Sequence, residues 1–336
     1  MNRLLLALLL ASASFLVHGD EPKPSTLQEF LAKLGYVAVP LQRGSLNHLF
    51  ADGKVNGRKA RMLIDTGSPV VAIDPSKTAG MQQLAKIPPK IQAVFGEAWT
   101  RESVVGIDKF HIGSLLYEAE PAVVIKLHSK RATTIGSHIP RSGPEGDYDV
   151  LWGWEFLSRH HAFLDTSVPA LYLRGDDPDT DVATLFGRSL LASGFTQHPL
   201  ARRGMAVEVT ATVNGHPSLF LLDTGSMVTL LDGNQAKDLE VDIGKRVAQM
   251  TDLGGNVNTM SLTMVRTFGL GELSLEKIAV GILGLREMNE YRARYGAPPV
   301  QGLLGPEVLD RARAIIDCEN LRLYLFDRSR LAVRKN

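Results

Sequence analysis

Cysteine is nearly missing from this chain: Cys318 is the only one among 336 residues. That excludes an intramolecular disulfide and any cysteine-built metal cluster. Between Ile315-Ile316 and Leu321, this thiol is expected to be a buried, inert side chain. Neither sign of charge is in excess, with 37 Lys and Arg against 36 Asp and Glu. No Lys/Arg stripe is interleaved with aromatics, so nucleic acid is not an expected partner. His-Glu-x-x-His and Gly-x-Ser-x-Gly do not occur, which removes a zinc-binding helix and a serine nucleophile elbow. His160-His161 are adjacent and poorly spaced to share a metal; no metal and no cofactor are expected. A long apolar run is lacking too. Leu4 to Leu10 falls well short of the ~20 residues that span a bilayer.

That short run follows Asn2-Arg3 and precedes Val17-His18-Gly19. Charged start, apolar core and small-residue site predict an export signal over residues 1–19, cleaved before Asp20. Ala11-Ser12-Ala13 is a second candidate site, and an uncleaved anchor is the alternative. With no cysteine beside the site, a lipoprotein is not expected. Export without disulfides fits a bacterial periplasm.

What the chain does have is the same four residues twice, Asp65-Thr66-Gly67-Ser68 and Asp223-Thr224-Gly225-Ser226. Each copy stands between apolar runs, and the spacing holds far beyond it. Val55-Asn56-Gly57 recurs as Val213-Asn214-Gly215, Asp74 as Asp232, and Phe110-x-x-Gly113 as Phe268-x-x-Gly271. Further on, Val150-Leu151-Trp152-Gly153-x-Glu155 recurs as Gly302-Leu303-Leu304-Gly305-x-Glu307, and Leu171-Tyr172-Leu173 as Leu323-Tyr324-Leu325. The period is a domain length, too long for a solenoid. The expectation is a duplicated domain, residues 20–175 and 180–330, broken at the acidic stretch from Arg174 to Asp179. The Arg-rich end from Arg328 is expected to be a solvated tail.

Each half opens on a helical pattern, with Leu27, Phe30, Leu31 and Leu34 on one face of the first and Leu185, Leu190 and Leu191 on the second. Alternating runs follow, punctuated by Asp52-Gly53, Asn56-Gly57 and Asn214-Gly215 as turn signals. Asp74 and Asp232 are expected to cap short helices, and Pro306 to begin one. Short strands dominate both halves, which predicts two mainly β lobes.

In each motif the aspartate ends a buried strand and enters a tight loop. Glycine lets the backbone approach the carboxylate, and the threonine and serine hydroxyls can orient it. Lobes set face to face would bring Asp65 and Asp223 into contact. Two carboxylates that close share one proton, so one can take a proton from water while the other polarises a carbonyl. Ser68 and Ser226, if they donate to the carboxylates, would lower the pair's titration. The expected optimum is acidic.

Asp-Thr-Gly-Ser after an apolar pair, followed some 80 to 90 residues later by apolar-apolar-Gly, resembles the aspartic proteases. The chain looks like two retropepsin-like units fused in tandem. The resemblance implies two acid-protease β-barrel lobes forming a pseudo-two-fold dimer within one chain, and a peptide or protein substrate. It implies Asp65 and Asp223 as the catalytic pair, supported by Thr66, Gly67, Ser68, Thr224, Gly225 and Ser226. It implies that Gly153 and Gly305 brace the two loops, with Leu151 and Leu303 near the cleft. It also implies a flap hairpin in each half, placed near Gly96 and Trp99 and near Gly254 and Gly255. Trp99 either contacts substrate or covers a sheet. Trp152 stands where the family carries a smaller aliphatic residue. A monomer with one active site is expected, with pairing between chains as an alternative. A silent pseudo-protease that binds peptides in the same cleft is the other reading.

Overall fold

The computed structural model describes residues 26–44, 46–87, 90–93, 96–127, 148–175, 182–251 and 257–326. The export segment, residues 176–179 of the proposed break, Gly254, Gly255 and the Arg-rich tail lie outside the described residues.

Three sheets organise the described residues. One, ordered β-strand by β-strand, runs 37–40, 170–173, 163–165, 315–317, 322–326 and 195–199, so each half supplies three strands. Its centre pairs Leu164 with Ile316 in antiparallel register. Thr166 N–H donates to the Ala314 carbonyl, and Cys318 N–H to that of Ala162, at 3.0 Å each. The sheet therefore carries an approximate two-fold axis between those strands. Neither half completes it alone, so it is a platform under both lobes. Its covering cluster joins Leu31, Tyr36, Phe163, Phe186, Ile315 and Tyr324. The buried thiol of Cys318 belongs to the main core, as expected.

Each lobe adds one twisted sheet, of nine strands in the first half and eight in the second. In both, the strand ending in the motif lies parallel to the apolar-apolar-Gly strand. Leu63 stands opposite Leu151, and Leu221 opposite Leu303. The strand after the motif flanks the other side, Ala72 against Leu151 and Leu230 against Leu303.

The local signals mostly hold. Asn56 and Gly57 take φ of 47° and 79°, and Asn214 and Gly215 take 51° and 89°, the left-handed pair that a two-residue hairpin needs. Asp74 caps a 3-10 turn through Ser76 N–H at 2.9 Å, and Asp232 another through Asn234 N–H at 3.2 Å. Pro306 opens the helix Pro306–Arg311. Two expectations are corrected. Asp52-Gly53 is no turn: both lie inside the strand Leu49–Val55, where a Cβ on Gly53 would sit 2.4 Å from the His111 carbonyl oxygen. The helix Val182–Ala192 buries Val182, Phe186 and Leu190, leaving Leu185 and Leu191 exposed. Its true face includes the aromatic Phe186, which the leucine pattern passed over.

Candidate active site

Asp65 follows the strand Arg58–Ile64 and Asp223 the strand His216–Leu222. Each is tied to the neighbouring strand, Asp65 N–H donating to the Trp152 carbonyl at 2.9 Å and Asp223 N–H to that of Leu304 at 3.0 Å. Beyond them the chain turns sharply. Gly67 N–H donates to Asp65 Oδ1 at 2.9 Å and Ser68 N–H at 3.2 Å; Gly225 N–H donates to Asp223 Oδ1 at 3.0 Å. Backbone amides thus orient each carboxylate.

The two loops interlock through their threonines. Thr66 N–H donates to Thr224 Oγ1 at 3.1 Å, and Thr224 N–H to Thr66 Oγ1 at 3.0 Å. Each hydroxyl then donates across the lobes, Thr66 to the Leu222 carbonyl at 3.1 Å and Thr224 to that of Ile64 at 2.8 Å. Thr66 and Thr224 are 2% and 0% exposed, so an unmet hydroxyl there would cost its full desolvation, about 1–3 kcal/mol.

The glycines show how close the carboxylates lie. A Cβ on Gly67 would sit 2.5 Å from Asp223 Oδ1, and one on Gly225 would sit 2.4 Å from Asp65 Oδ1. Each carboxylate therefore rests against the other loop's glycine, and the two carboxylates face each other between the loops. Burial raises Asp65 above its ordinary range, against the backbone donors that pull it down. Burial raises Asp223 well above its own, and the charge of Asp65 adds to the rise. With both shifted upward, the pair retains a proton where isolated carboxylates have lost theirs, and its titration belongs to the pair.

The serine hydroxyls do not reach the carboxylates. Ser68 Oγ donates to the Val70 carbonyl at 3.1 Å and Ser226 Oγ to that of Val228 at 2.7 Å. A hydroxyl has one proton to give, so these hold the loop exit rather than lowering the pair's titration.

Gly153 and Gly305 sit under the loop exits. A Cβ on Gly153 would lie 2.3 Å from the Val70 carbonyl oxygen, and one on Gly305 would lie 2.6 Å from Thr229 N. Trp154 N–H donates to the Ser68 carbonyl at 2.7 Å. Leu151 and Leu303, expected near the cleft, are 0% and 2% exposed. They fill small clusters behind the loops, Leu151 with Phe50, Tyr148 and Ile125, Leu303 with Met260, Leu283 and Met288. They present no surface to a ligand. Trp152 and Trp154 share the main core, where Trp152 stacks on Phe156 at 4.4 Å.

Gly96 and Trp99 lie on a hairpin: Ala93 pairs with Gly96 and Lys90 with Trp99. The second half has its counterpart, closing at Thr251 opposite Val257. Two contacts with the loops had no motif to announce them. Glu307 Oε1 accepts Thr229 N–H at 2.7 Å, and burial raises its pKa. His48 Nε2 lies 2.9 Å from the Gly225 carbonyl oxygen. Glu307 could be found only as a repeat position matching Glu155. His48 interrupts the repeat.

Comparison with known proteins follows the same duplication. A family model described as aspartyl protease matches residues 51–139 and 209–308, more than half of the chain. Among solved structures, a retropepsin-like aspartic protease from Rickettsia conorii is 20% identical over 39% of this chain and 92% of its own, with a TM-score of 0.31. An aspartic proteinase from Irpex lacteus is 13% identical over 87% of this chain and 97% of its own, with a TM-score of 0.49. Basic 7S globulin from soybean is 12% identical over 87% and 94%, with a TM-score of 0.43. Curated proteins gave no match.

Proposed function

The chain belongs to the aspartyl protease family, and from that premise we propose that it is an endopeptidase working through one Asp65/Asp223 pair between its lobes. Its fold is mainly β, two aspartic-protease β-barrel lobes in one chain. The observation that carries the reading is the reciprocal contact of each carboxylate with the other loop's glycine. Only a pair held that close shares a proton.

The shared proton sets the chemistry. The ionised carboxylate takes a proton from a water molecule, which attacks the scissile carbonyl. The protonated carboxylate donates to that carbonyl oxygen, giving a gem-diol; the first carboxylate then passes the proton it took from water to the amide nitrogen, the C–N bond breaks, and a diol hydroxyl returns its proton to the second carboxylate. The threonine interlock fixes the two carboxylates so that little reorganisation accompanies proton transfer. The reaction draws on acid–base groups the chain itself supplies.

On this reading residues 1–19 direct export and are removed, 20–175 and 180–330 are the two lobes, and the protein acts as a monomer in a periplasm. The test is cleavage of an unfolded protein mixture at acidic to neutral pH, beside Asp65→Asn and Asp223→Asn. Loss of cleavage in both supports one shared pair. Cleavage surviving either substitution, or increasing steadily above neutral pH, rejects it.

A further inference from the structure

The two lobes enter their sheets through equivalent hairpins of unequal length. Arg43 pairs with Leu49 in the first half and Arg202 with Val207 in the second. Five residues connect the first pair and four the second. The shorter connection closes tightly, Arg203 pairing with Ala206 across Gly204 at φ 60°. Its Met205 projects into solvent, 57% exposed.

The longer connection crosses to the other lobe. Asn47 adopts φ 66°, and Gly44 N–H donates to the His48 carbonyl at 2.8 Å. From that bend Asn47 Nδ2 donates to the Met227 carbonyl at 3.2 Å, and His48 Nε2 meets that of Gly225 at 2.9 Å. A carbonyl only accepts, so Nε2 carries the proton. Arg43 anchors the base of the bend through the Thr166 carbonyl and lies 3.5 Å from Asp310 of the second half. Phe50 holds the imidazole edge-on, ring centres 6.2 Å apart.

The bond to Gly225 has a consequence at the aspartate. The peptide that begins with that carbonyl ends in Ser226 N–H, which donates to the Asp223 main-chain carbonyl at 3.4 Å, beside the Gly225 N–H that holds the Asp223 carboxylate at 3.0 Å. A hydrogen bond to the carbonyl polarises the peptide and strengthens its N–H as a donor. In the first loop Ser68 N–H serves Asp65 at 3.2 Å. There the register position matching His48 is Ala206, which has no polar side chain.

We propose that Asn47 and His48 form a strap from the first lobe onto the second, in which His48 is a positioning residue for the Asp223 loop. Its consequence for turnover rests on the endopeptidase reading above. Its consequence for the loop does not.

The test uses the full chain as His48→Ala and His48→Gln. Hydrogen exchange is read separately over residues 62–70 and 222–228, with kcat and KM measured beside Asp65→Asn. His48→Ala is expected to speed exchange in 222–228 and leave 62–70 unchanged, and to lower kcat ~10-fold with KM nearly constant, as for a slightly misplaced group. His48→Gln, whose amide can donate to the same carbonyl, recovers the protection and most of kcat. Equal loosening of both segments, or of neither, overturns the strap. So does a rise in KM at constant kcat, because His48 would then be touching substrate. If the unsubstituted protein cleaves nothing, the endopeptidase reading fails, and the exchange comparison alone decides the strap.

Discussion

In the first lobe the strand beside the aspartate carries Val150 and Trp152; in the second the same positions are Gly302 and Leu304. The partner strands compensate. Met62 stands opposite Val150, and the larger Phe220 opposite Gly302. A Cβ on Gly302 would meet the Leu230 carbonyl oxygen at 2.0 Å and Phe220 Cε1 at 2.6 Å. Glu155 is exposed and lies 3.7 Å from Arg202, while its repeat partner Glu307 is buried against Thr229. Around the aspartates themselves the lobes are almost superposable in their bonds. Packing between apolar groups tolerates exchange wherever total volume is kept. Two carboxylates sharing a proton tolerate little, because the geometry of each depends on the other.

The sharpest way to break the comparison is to remove one charge at a time. Asp65→Asn and Asp223→Asn are expected to abolish cleavage alike, although their lobes pack differently; peptide hydrolysis assays on both check this. A large difference in residual activity would mean that one lobe carries the chemistry alone.

Next in size is the volume exchange. Gly302→Ala should lower stability by about 1–3 kcal/mol, the usual range for overpacking. Alanine at position 150 instead shortens a side chain and leaves a small cavity. Denaturant midpoints of Gly302→Ala and Val150→Ala would separate a clash from a void, and an undisturbed Gly302→Ala would contradict the close approach to Leu230.

The two glutamates come third. Glu307→Ala leaves Thr229 N–H without its acceptor, at a cost of about 1–3 kcal/mol. Glu155→Ala, on the surface, should stay within about 0.5 kcal/mol. Chemical denaturation of both variants measures the contrast, and equal costs would show that burial of Glu307 is not what distinguishes the lobes.

The smallest effect is a slope. Both aspartates are raised from the ordinary 3.8, so above that pH the folded chain holds more protons than the unfolded one. Their contribution to stability is complete at lower pH and declines as pH rises through the window, by at most about 1.4 kcal/mol per pH unit for one proton. Asp223→Asn removes the Asp223 share of that difference. Its Tm, measured against the unsubstituted protein from acid to neutral pH, should gain steadily as pH rises; a constant gap would mean the pair holds no extra proton.

Much of this molecule was legible beforehand because its signals are local or repeated. Asn56-Gly57 and Asn214-Gly215 announce hairpins through backbone geometry that few other residues accept. Asp74, Asp232 and Pro306 announce helix starts through the donors they satisfy or do without. The aspartate pair was legible because the motif occurs twice at equivalent places. Other expectations failed where distant parts decide. Asp52-Gly53 has a turn's composition, yet the glycine answers to the approach of His111. Ser68 and Ser226 carry the right hydroxyls, but nearby carbonyls claim their protons. Leu151 and Leu303 stand beside the motif strands, and only the packed fold shows that they are buried.

The sequence by itself determined the duplication, the β character of both halves and the residues that meet at the centre, since these follow from periodicity, turn chemistry and a motif stated twice. Tertiary structure alone decided the platform in which Leu164 faces Ile316, the threonine interlock, and the reach of His48 across the lobes. Those contacts join residues some 150 or more positions apart. No local pattern encodes such a meeting, because it exists only after both halves have folded and docked.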